Sequence, residues 1–447
     1  MMTTGFDVVG VGVGPFNLSL AALLCPLGDV KSRFFERAAS FEWHPGMMLA
    51  GSCMQTSFLK DLVTPADPTS RFGFLSYLVD KGTFYRFLNA EYPRVLRAEF
   101  ACYLRWVADQ LPNLRFGCDV REVAVRAGQL SVRIEGTKEW LAARNLVIGA
   151  GLHPHVPPGL EPALGRDCFH SSSYLHSQIS VEKRRVAIVG GGQSSAEICL
   201  DLLSGRLGQA TSIDWITRRA NLSPLDETAF TNEFFTPDYV RSFHRLPEER
   251  RRQLVPQQKL AGDGISPITL NQISQRLYEL ECIEQKGPRC RILPERDVRG
   301  MRRERPELRL FAHNAFTGQP ETLDADVVIL ATGYRYRLPE CLSPIAERML
   351  RDAEGNPRLR EDFSVMWDGA PDQRIYMQNA GRCSHGIADA QLSLAAWRSA
   401  VICNSIVGRT LYPVDAQAAP IYWHAEHKAA GSDKPCTVPL AAQSLLS

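Results

Sequence analysis

Twice along the chain a short, continuously apolar run gives way to a burst of glycines and then to apolar positions at helical spacing. The first stretch is FDVVGVGVGPFNLSLAALL, from Phe6 to Leu24, and the second is RVAIVGGGQSSAEICLDLL, from Arg185 to Leu203. A run too short for a helix, bounded by glycine, predicts a buried parallel strand, and the period that follows predicts a helix. Strand, tight turn and helix N-terminus together make an anion site, because free backbone N–H groups and the helix dipole both favour a pyrophosphate. In the first stretch Gly10, Gly12 and Gly14 crowd the turn, and Pro15 falls where a G-x-G-x-x-G pattern has its third glycine. The next apolar run, VKSRFFE, ends in Glu36, where a ribose-binding acid belongs. In the second stretch Gly190 and Gly192 hold the first two glycine positions and Ser195 the third. Its following strand, TSIDWITRR, ends not in an acid but in Arg218 and Arg219. An acid suits a free ribose 2′-hydroxyl and arginines suit a 2′-phosphate, so this site reads as NADPH rather than NADH. The plainer reading of the two arginines is a solvated basic strand end.

Between these units the pattern changes character. Residues 41 to 78 mix Gly, Pro and Ser with Trp43, Met47, Met48, Met54 and Phe58, too apolar for a surface connection and therefore read as a ligand-lining excursion. Residues 84 to 111 read as helical and 115 to 148 as a small meander, with RNLVIGAG (Arg144 to Gly151) returning to the first sheet and the proline-rich HPHVPP marking a domain crossing. Residues 220 to 290 break the αβ alternation and read as an insertion over the active site, in which PEERRRQLVPQQ is an exposed helix. The apolar run before Ala331-Thr332-Gly333-Tyr334 is expected to rejoin the first sheet, and the stretch from Ile375 to Ile406 reads as a strand, a turn at Gly386 and a long helix. The predicted architecture is α/β, with two Rossmann-like dinucleotide-binding domains and an inserted substrate-covering region. The FAD domain is expected over 1–178 and 322–410, the NADPH domain over 179–321, and a fraying tail over 411–447.

Composition changes this picture only by exclusion. The chain has 447 residues, 45% of them hydrophobic and 22% charged, enough for two or three domains with cores of their own. A formal net charge of +2 points to no nucleic-acid or membrane partner. No apolar run is long enough to span a bilayer, and the first strand begins too early for a secretory leader. The twelve cysteines are scattered without a C-x-x-C, which reads as reduced thiols in a cytoplasm. It also argues against a disulfide reductase, whose chemistry needs a redox thiol pair. Nor is there a His/Cys cluster to hold a metal. An FAD unit beside an NADPH unit serves hydride transfer, but does not by itself separate a reductase from a monooxygenase.

Longer motifs are more specific. GVGPFNLSLA, WHPGM, MQTSFLKDLVTPADPTS, YLRW, IVGGGQSSAE, LDETAFTNEFFTP, the D-x-x-x-L-A-T-G-Y-x-x-x-x-P run from Asp326 to Pro339 and HGIADAQLSLAAWRSA run nearly end to end. In these the chain resembles the microbial N-hydroxylating flavin monooxygenases, the lysine and ornithine N-monooxygenases of siderophore biosynthesis, and most of all the lysine N6-hydroxylase branch. The resemblance implies that NADPH reduces FAD and that a flavin C4a-hydroperoxide passes oxygen to an amine nitrogen, with O₂ and a small-molecule amine as the reactants, in a homotetramer or dimer.

Carried over residue by residue, the resemblance implies that Gly10, Gly12, Gly14, Pro15 and Glu36 bind FAD, with Trp43, His44, Met54 and Gln55 near the isoalloxazine. Thr332 and Ser393 are expected beside the cofactors or substrate, and Gly190, Gly192, Ser195, Arg218 and Arg219 at NADPH. Lys60 resembles the lysine that grips the substrate's α-carboxylate, and Asn232 a second contact to it; without the motif Lys60 would read as a surface lysine. Ornithine enzymes carry an N-Y-S-V-like stretch where this chain has AGDGISPIT, which favours lysine over ornithine. A diamine such as putrescine or cadaverine, L-ornithine, and, remotely, a non-oxygenating flavoprotein are the alternatives.

Overall fold

The computed structural model describes residues 3–304, 307–415 and 420–423; most of the expected tail over 411–447 lies outside the described residues. Strand β1 (Thr3–Val11) leads through the first glycine turn into α1 (Pro15–Leu24) and β2 (Ser32–Phe35). After the excursion come α2 (Phe74–Asp80), α3 (Phe84–Asn89) and α4 (Arg97–Gln110), then β3 (Leu114–Arg115), β4 (Val120–Arg126), β5 (Gln129–Ile134) and β6 (Trp140–Ile148). These strands form one sheet in the order β3-β2-β1-β6-β5-β4. β1 lies parallel to both its neighbours, whereas β4, β5 and β6 make the antiparallel meander. Val8 and Val9 are both fully buried, because helices or loops cover the two faces of the parallel centre. Every residue of α1 is buried as well, which is why its sequence is apolar apart from Asn17 and Ser19.

A short crossing strand β7 (His153–Pro154) leads to β8 (Cys168–His170), β9 (Arg185–Val189), α5 (Gln193–Leu203) and β10 (Ser212–Ile216). The region expected as an insertion holds α6 (Pro237–Arg245), α7 (Glu248–Gln257), α8 (Leu260–Asp263) and α9 (Pro267–Tyr278) before β11 (Arg289–Leu293). A three-stranded meander follows, β12 (Arg296–Glu304), β13 (Glu307–Asn314) and β14 (Gln319–Ala325), and then β15 (Val327–Leu330). The second sheet runs β11-β10-β9-β15-β8, all parallel. The chain crosses back through β16 (Tyr334–Arg335), antiparallel to β7, and β17 (Arg374–Met377) joins β6 of the first sheet. The short helix α10 (Arg382–His385) and the long α11 (Ala395–Val407), which packs on α1, close the described fold.

Two expectations need correction. The run before Thr332 does not rejoin the first sheet: β15 is sandwiched between β9 and β8 of the second, with all four residues fully buried. With β8 also in that sheet, the chain changes sheets at β7 and β16 rather than at 178 and 322. An apolar strand is equally at home in either parallel sheet, so the residues of β15 do not say which. The insertion is also two things. Phe235, Val240 and Ala261 pack into the core of the first unit, whereas Ile273 and Leu280 pack into that of the second. The meander β12–β14 has no counterpart among the expected elements; within it β13 (ELRLFAHN) alternates strictly between half-buried and buried positions. The last helix begins at Ala395, and Leu392 belongs to a preceding 3₁₀ turn (Leu392–Leu394).

Candidate active site

The first glycine turn is set by close approach on every side. A Cβ on Gly10 would lie 2.0 Å from the Phe34 ring, and one on Gly12, whose φ is +83°, would lie 2.6 Å from the Gly149 carbonyl oxygen. Gly10 and Gly12 are therefore glycines for packing and for a left-handed backbone. Gly14 caps α1 with Pro15 in the first turn, and its Cβ position is open, with Gly149 O at 4.0 Å. Open backbone at a helix N-terminus is what a phosphate needs. Glu36 reaches the same turn: its carboxylate accepts from the Val13 N–H at 2.8 Å and from the Ala38 N–H at 2.9 Å.

The excursion after β2 spans the two units. Trp43 and Met54 join the first unit's core, while Met47 packs into the second's. His44 takes up a left-handed conformation, φ 47°, and is exposed. A Cβ on the neighbouring Gly46 would overlap Ser172 O at 1.8 Å, so this loop is wedged against the second unit. Arg94 donates to the Gln55 carbonyl and pairs with Glu227, tying the Gln55–Lys60 segment to the one that carries Asn232. The 3₁₀ segments Thr231–Phe235 and Ile387–Ala390 pack against each other. Phe58, Phe234, Phe235, Ile387, Leu392 and Leu394 belong to one apolar cluster. Within this region Gln55 Nε2, Glu233 Oε2, Asn379 Oδ1 and Ser393 Oγ are buried with no hydrogen-bond partner. Orphaned buried polar atoms are rare in native proteins, and here they suit a polar flavin and its substrate. Lys60 is half-buried and makes no side-chain ion pair or hydrogen bond among the described residues. Burial lowers its pKa below that of an ordinary lysine, and Glu233 opposes the shift. Asn232 is exposed, with its N–H bonded to Thr228 O at 3.0 Å.

The second glycine turn follows the same logic. A Cβ on Gly190 (φ +147°) would lie 2.1 Å from Ala331 O, and one on Gly191 2.2 Å from Thr217 Oγ1. Gly192 caps α5 and is open, the nearest atom to its Cβ position being Asp263 O at 4.0 Å. Ser195 is fully buried and its hydroxyl bonds Gly192 O at 2.6 Å, so it acts within the helix. Arg218 is exposed; Arg219 donates through Nη2 to Asp263 O at 2.9 Å and keeps its Nη1 buried and unpartnered. Arg335, Arg218 and Arg337 all lower the pKa of His155, after burial as the larger cause, and so surround one point with positive charge. Thr332 donates its hydroxyl to His155 O and thereby holds β16 against β7.

A family model described as L-lysine 6-monooxygenase/L-ornithine 5-monooxygenase matches residues 4–336. The chain belongs to this family. The L-lysine N6-monooxygenase of Escherichia coli is 38% identical over 94% of this chain and 99% of its own length. The FAD-bound cadaverine monooxygenase of Erwinia amylovora is 32% identical with a TM-score of 0.87, covering 94% of this chain and 98% of that one. A Kutzneria ornithine N-hydroxylase, solved with reduced FAD, NADP⁺ and L-ornithine, is 31% identical with a TM-score of 0.83, covering 91% of this chain and 99% of that one. This monooxygenase therefore uses FAD and NADPH on an α/β frame with two dinucleotide-binding domains. Among the described residues no group of His, Cys, Asp and Glu could hold a metal, and no helix is long and apolar enough to cross a membrane.

Several positioning residues of the monooxygenase escape a reading by motif. Asn17 is fully buried; its Nδ2 donates to Gly12 O at 2.8 Å and its Oδ1 accepts from Gln378 Nε2 at 3.1 Å. It thus pins the glycine turn to the end of β17. Arg97 at the start of α4 pairs with the buried Glu197 of α5 at 2.7 Å, and Arg382 pairs with Asp263, beside Gly192, at 3.3 Å, so both ion pairs lie near the second turn. Asn17 and Arg97 both fall inside or beside the motifs, but Gln378, which bonds Asn17, and Glu197, which pairs with Arg97, lie 361 and 100 positions away, beyond any local signal.

Proposed function

We propose that this monooxygenase N-hydroxylates the terminal amine of L-lysine, in the cytoplasm, as a step of hydroxamate siderophore biosynthesis. The observation that carries the reading is Lys60: a half-buried cation without a direct partner, on the segment that carries the orphaned Gln55 amide and that Arg94 ties to the segment of Asn232. A carboxylate-bearing substrate supplies what Lys60 lacks. The similarity to the E. coli lysine enzyme supports the same reading. When bound, the reduced flavin supplies oxygen activation; the protein's part is to hold the cofactor and aim the amine. On this reading the turn of Gly12 and Gly14 with Glu36 holds FAD, Gln55 and Ser393 face its ring and the substrate, and Arg218 and Arg219 read the 2′-phosphate of NADPH. The reacting nitrogen must be neutral, although a free lysine side chain has a pKa of roughly 10.4. The apolar wall of Phe58, Phe234, Leu392 and Leu394 favours the uncharged form by desolvation.

The similarity to the cadaverine enzyme favours a second reading, a diamine substrate. The test compares L-lysine, L-ornithine, cadaverine and putrescine for hydroxylamine formation with wild type and Lys60→Ala. Lysine is expected to be best. Lys60→Ala should raise KM for lysine roughly tenfold to a hundredfold, as loss of a charge-assisted bond of about 1.5–3 kcal/mol implies, release hydrogen peroxide instead of product, and leave flavin reduction by NADPH unchanged. A wild type that prefers either diamine sinks the amino-acid reading.

A further inference from the structure

Beside Lys60 stands a second charge that the proposed function leaves unused. Glu233 lies in the 3₁₀ segment Thr231–Phe235, one residue beyond Asn232, and its Oε2 is buried without a hydrogen-bond partner. It acts electrostatically on Lys60, yet the two form no direct ion pair. Its backbone is satisfied within the segment, the N–H bonding Phe230 O and the carbonyl accepting from the Thr236 hydroxyl. A buried carboxylate oxygen left unpaired is costly, and so is a half-buried ammonium. Two opposite charges within electrostatic reach of each other, neither of them paired, ask for an anion at Lys60 and a cation at Glu233. A free α-amino acid carries that pair of charges on a single carbon.

We propose that Glu233 is a specificity-determining residue that receives the α-ammonium of the substrate while Lys60 receives its α-carboxylate, so that the site reads the zwitterionic head group as a unit. The inference rests on the reading that the substrate region lies between Lys60 and Asn232. It accounts for a feature that carboxylate recognition alone leaves unexplained, because a site built only to grip a carboxylate gains nothing from a nearby buried anion. It also assigns a use to the same carboxylate when the ligand is a diamine, whose distal ammonium is the same chemical group.

Three ligands separate the two ends of the head group. L-Lysine has both charges, 6-aminohexanoate has the carboxylate without the α-ammonium, and cadaverine has the ammonium without the carboxylate. Binding to the FAD-loaded enzyme is measured by calorimetry in the absence of NADPH, with FAD content and melting temperature recorded for each variant. Glu233→Gln should weaken lysine and cadaverine roughly tenfold to a hundredfold and change 6-aminohexanoate by less than about threefold. Lys60→Ala should show the mirror pattern, weakening lysine and 6-aminohexanoate and sparing cadaverine. Glu233→Asp keeps the charge on a shorter arm and should show the Gln pattern in smaller measure, which serves if Glu233→Gln loses its flavin. Equal weakening of all three ligands by Glu233→Gln, or no weakening of lysine, overturns the assignment. Failure of the lysine reading looks different: wild type then binds cadaverine more tightly than lysine, while the contrast between cadaverine and 6-aminohexanoate in Glu233→Gln still judges Glu233.

Discussion

The two glycine turns of this monooxygenase are built to one plan and finished in opposite ways. In each, a strand end is pressed so closely against its neighbour that a side chain cannot fit: Gly12 against Gly149 in the first, Gly190 against Ala331 in the second. In each, the glycine that caps the helix is open. They differ in what secures the turn. The first is enclosed by its own polar groups, with Asn17 and Glu36 bonded to its backbone and Gln378 bonded to Asn17. The second is rimmed by cations, of which Arg219 is only partly satisfied and Arg218 is exposed. A turn closed by internal bonds suits a cofactor that stays; a turn with spare positive charge suits one that is drawn in, used and released. The backbone geometry is shared, and the side chains around it differ in charge and in how far they are satisfied.

The sharpest way to break this comparison is to fill the first turn. Gly12→Val meets both a carbonyl oxygen at 2.6 Å and a φ of +83°, so the variant should be recovered without FAD or not at all, whereas Gly14→Ala, whose Cβ finds Gly149 O only at 4.0 Å, should fold normally, with its loss confined to weaker FAD affinity. Flavin absorbance per chain decides, and a yellow, stoichiometric Gly12→Val would refute the placement. Next in size is the charge at the second turn. Replacing Arg218 and Arg219 by Ala should raise KM for NADPH by at least roughly tenfold, the equivalent of one charge-assisted bond, and leave NADH nearly unchanged; equal losses with the two nucleotides would show that the arginines do not read the 2′-phosphate. Asn17→Ala tests the enclosure of the first turn: it should cost about 1–3 kcal/mol of stability by stranding buried partners, seen as a lower melting temperature with NADPH affinity intact.

The smallest effect concerns protons. His170 of β8 bonds Gly333 O through Nε2 at 3.0 Å, and its Nδ1 accepts from the Ser172 N–H at 3.1 Å. Burial lowers its pKa from the ordinary 6.5. A histidine with a depressed folded pKa contributes stability that is full above the unfolded value and is lost as pH falls through the folded one. Acidification below about pH 6.5 should therefore loosen the crossing at β7 and β16 before it touches the first turn, and His170→Gln should flatten that part of the stability profile. Hydrogen exchange at 153–156 and 333–335 against exchange at 12–14 is the measurement. A first turn that opens first would reverse the contrast.

Much of this was legible in the amino-acid order because it is local. Gly10 to Leu24, Glu36, Gly190 to Leu203 and the pair Arg218–Arg219 announce strand, turn, helix and the sign of the charge that follows, since each depends on residues a few positions apart whose backbone needs are particular. The motif around Lys60 makes a candidate substrate contact of what composition alone reads as a surface lysine. What only the tertiary structure decided is which sheet an apolar strand joins and which charges meet. The residues of β15 fit either parallel sheet, and the choice rests on pairing with β9 and β8. Glu233 is one of several acids in its stretch of sequence, and only the folded chain brings its charge within reach of Lys60, far away along the sequence, with its Oε2 out of reach of water. Local backbone preference is written into neighbouring residues; burial and long-range charge pairing are properties of the packed chain, and no short stretch contains them.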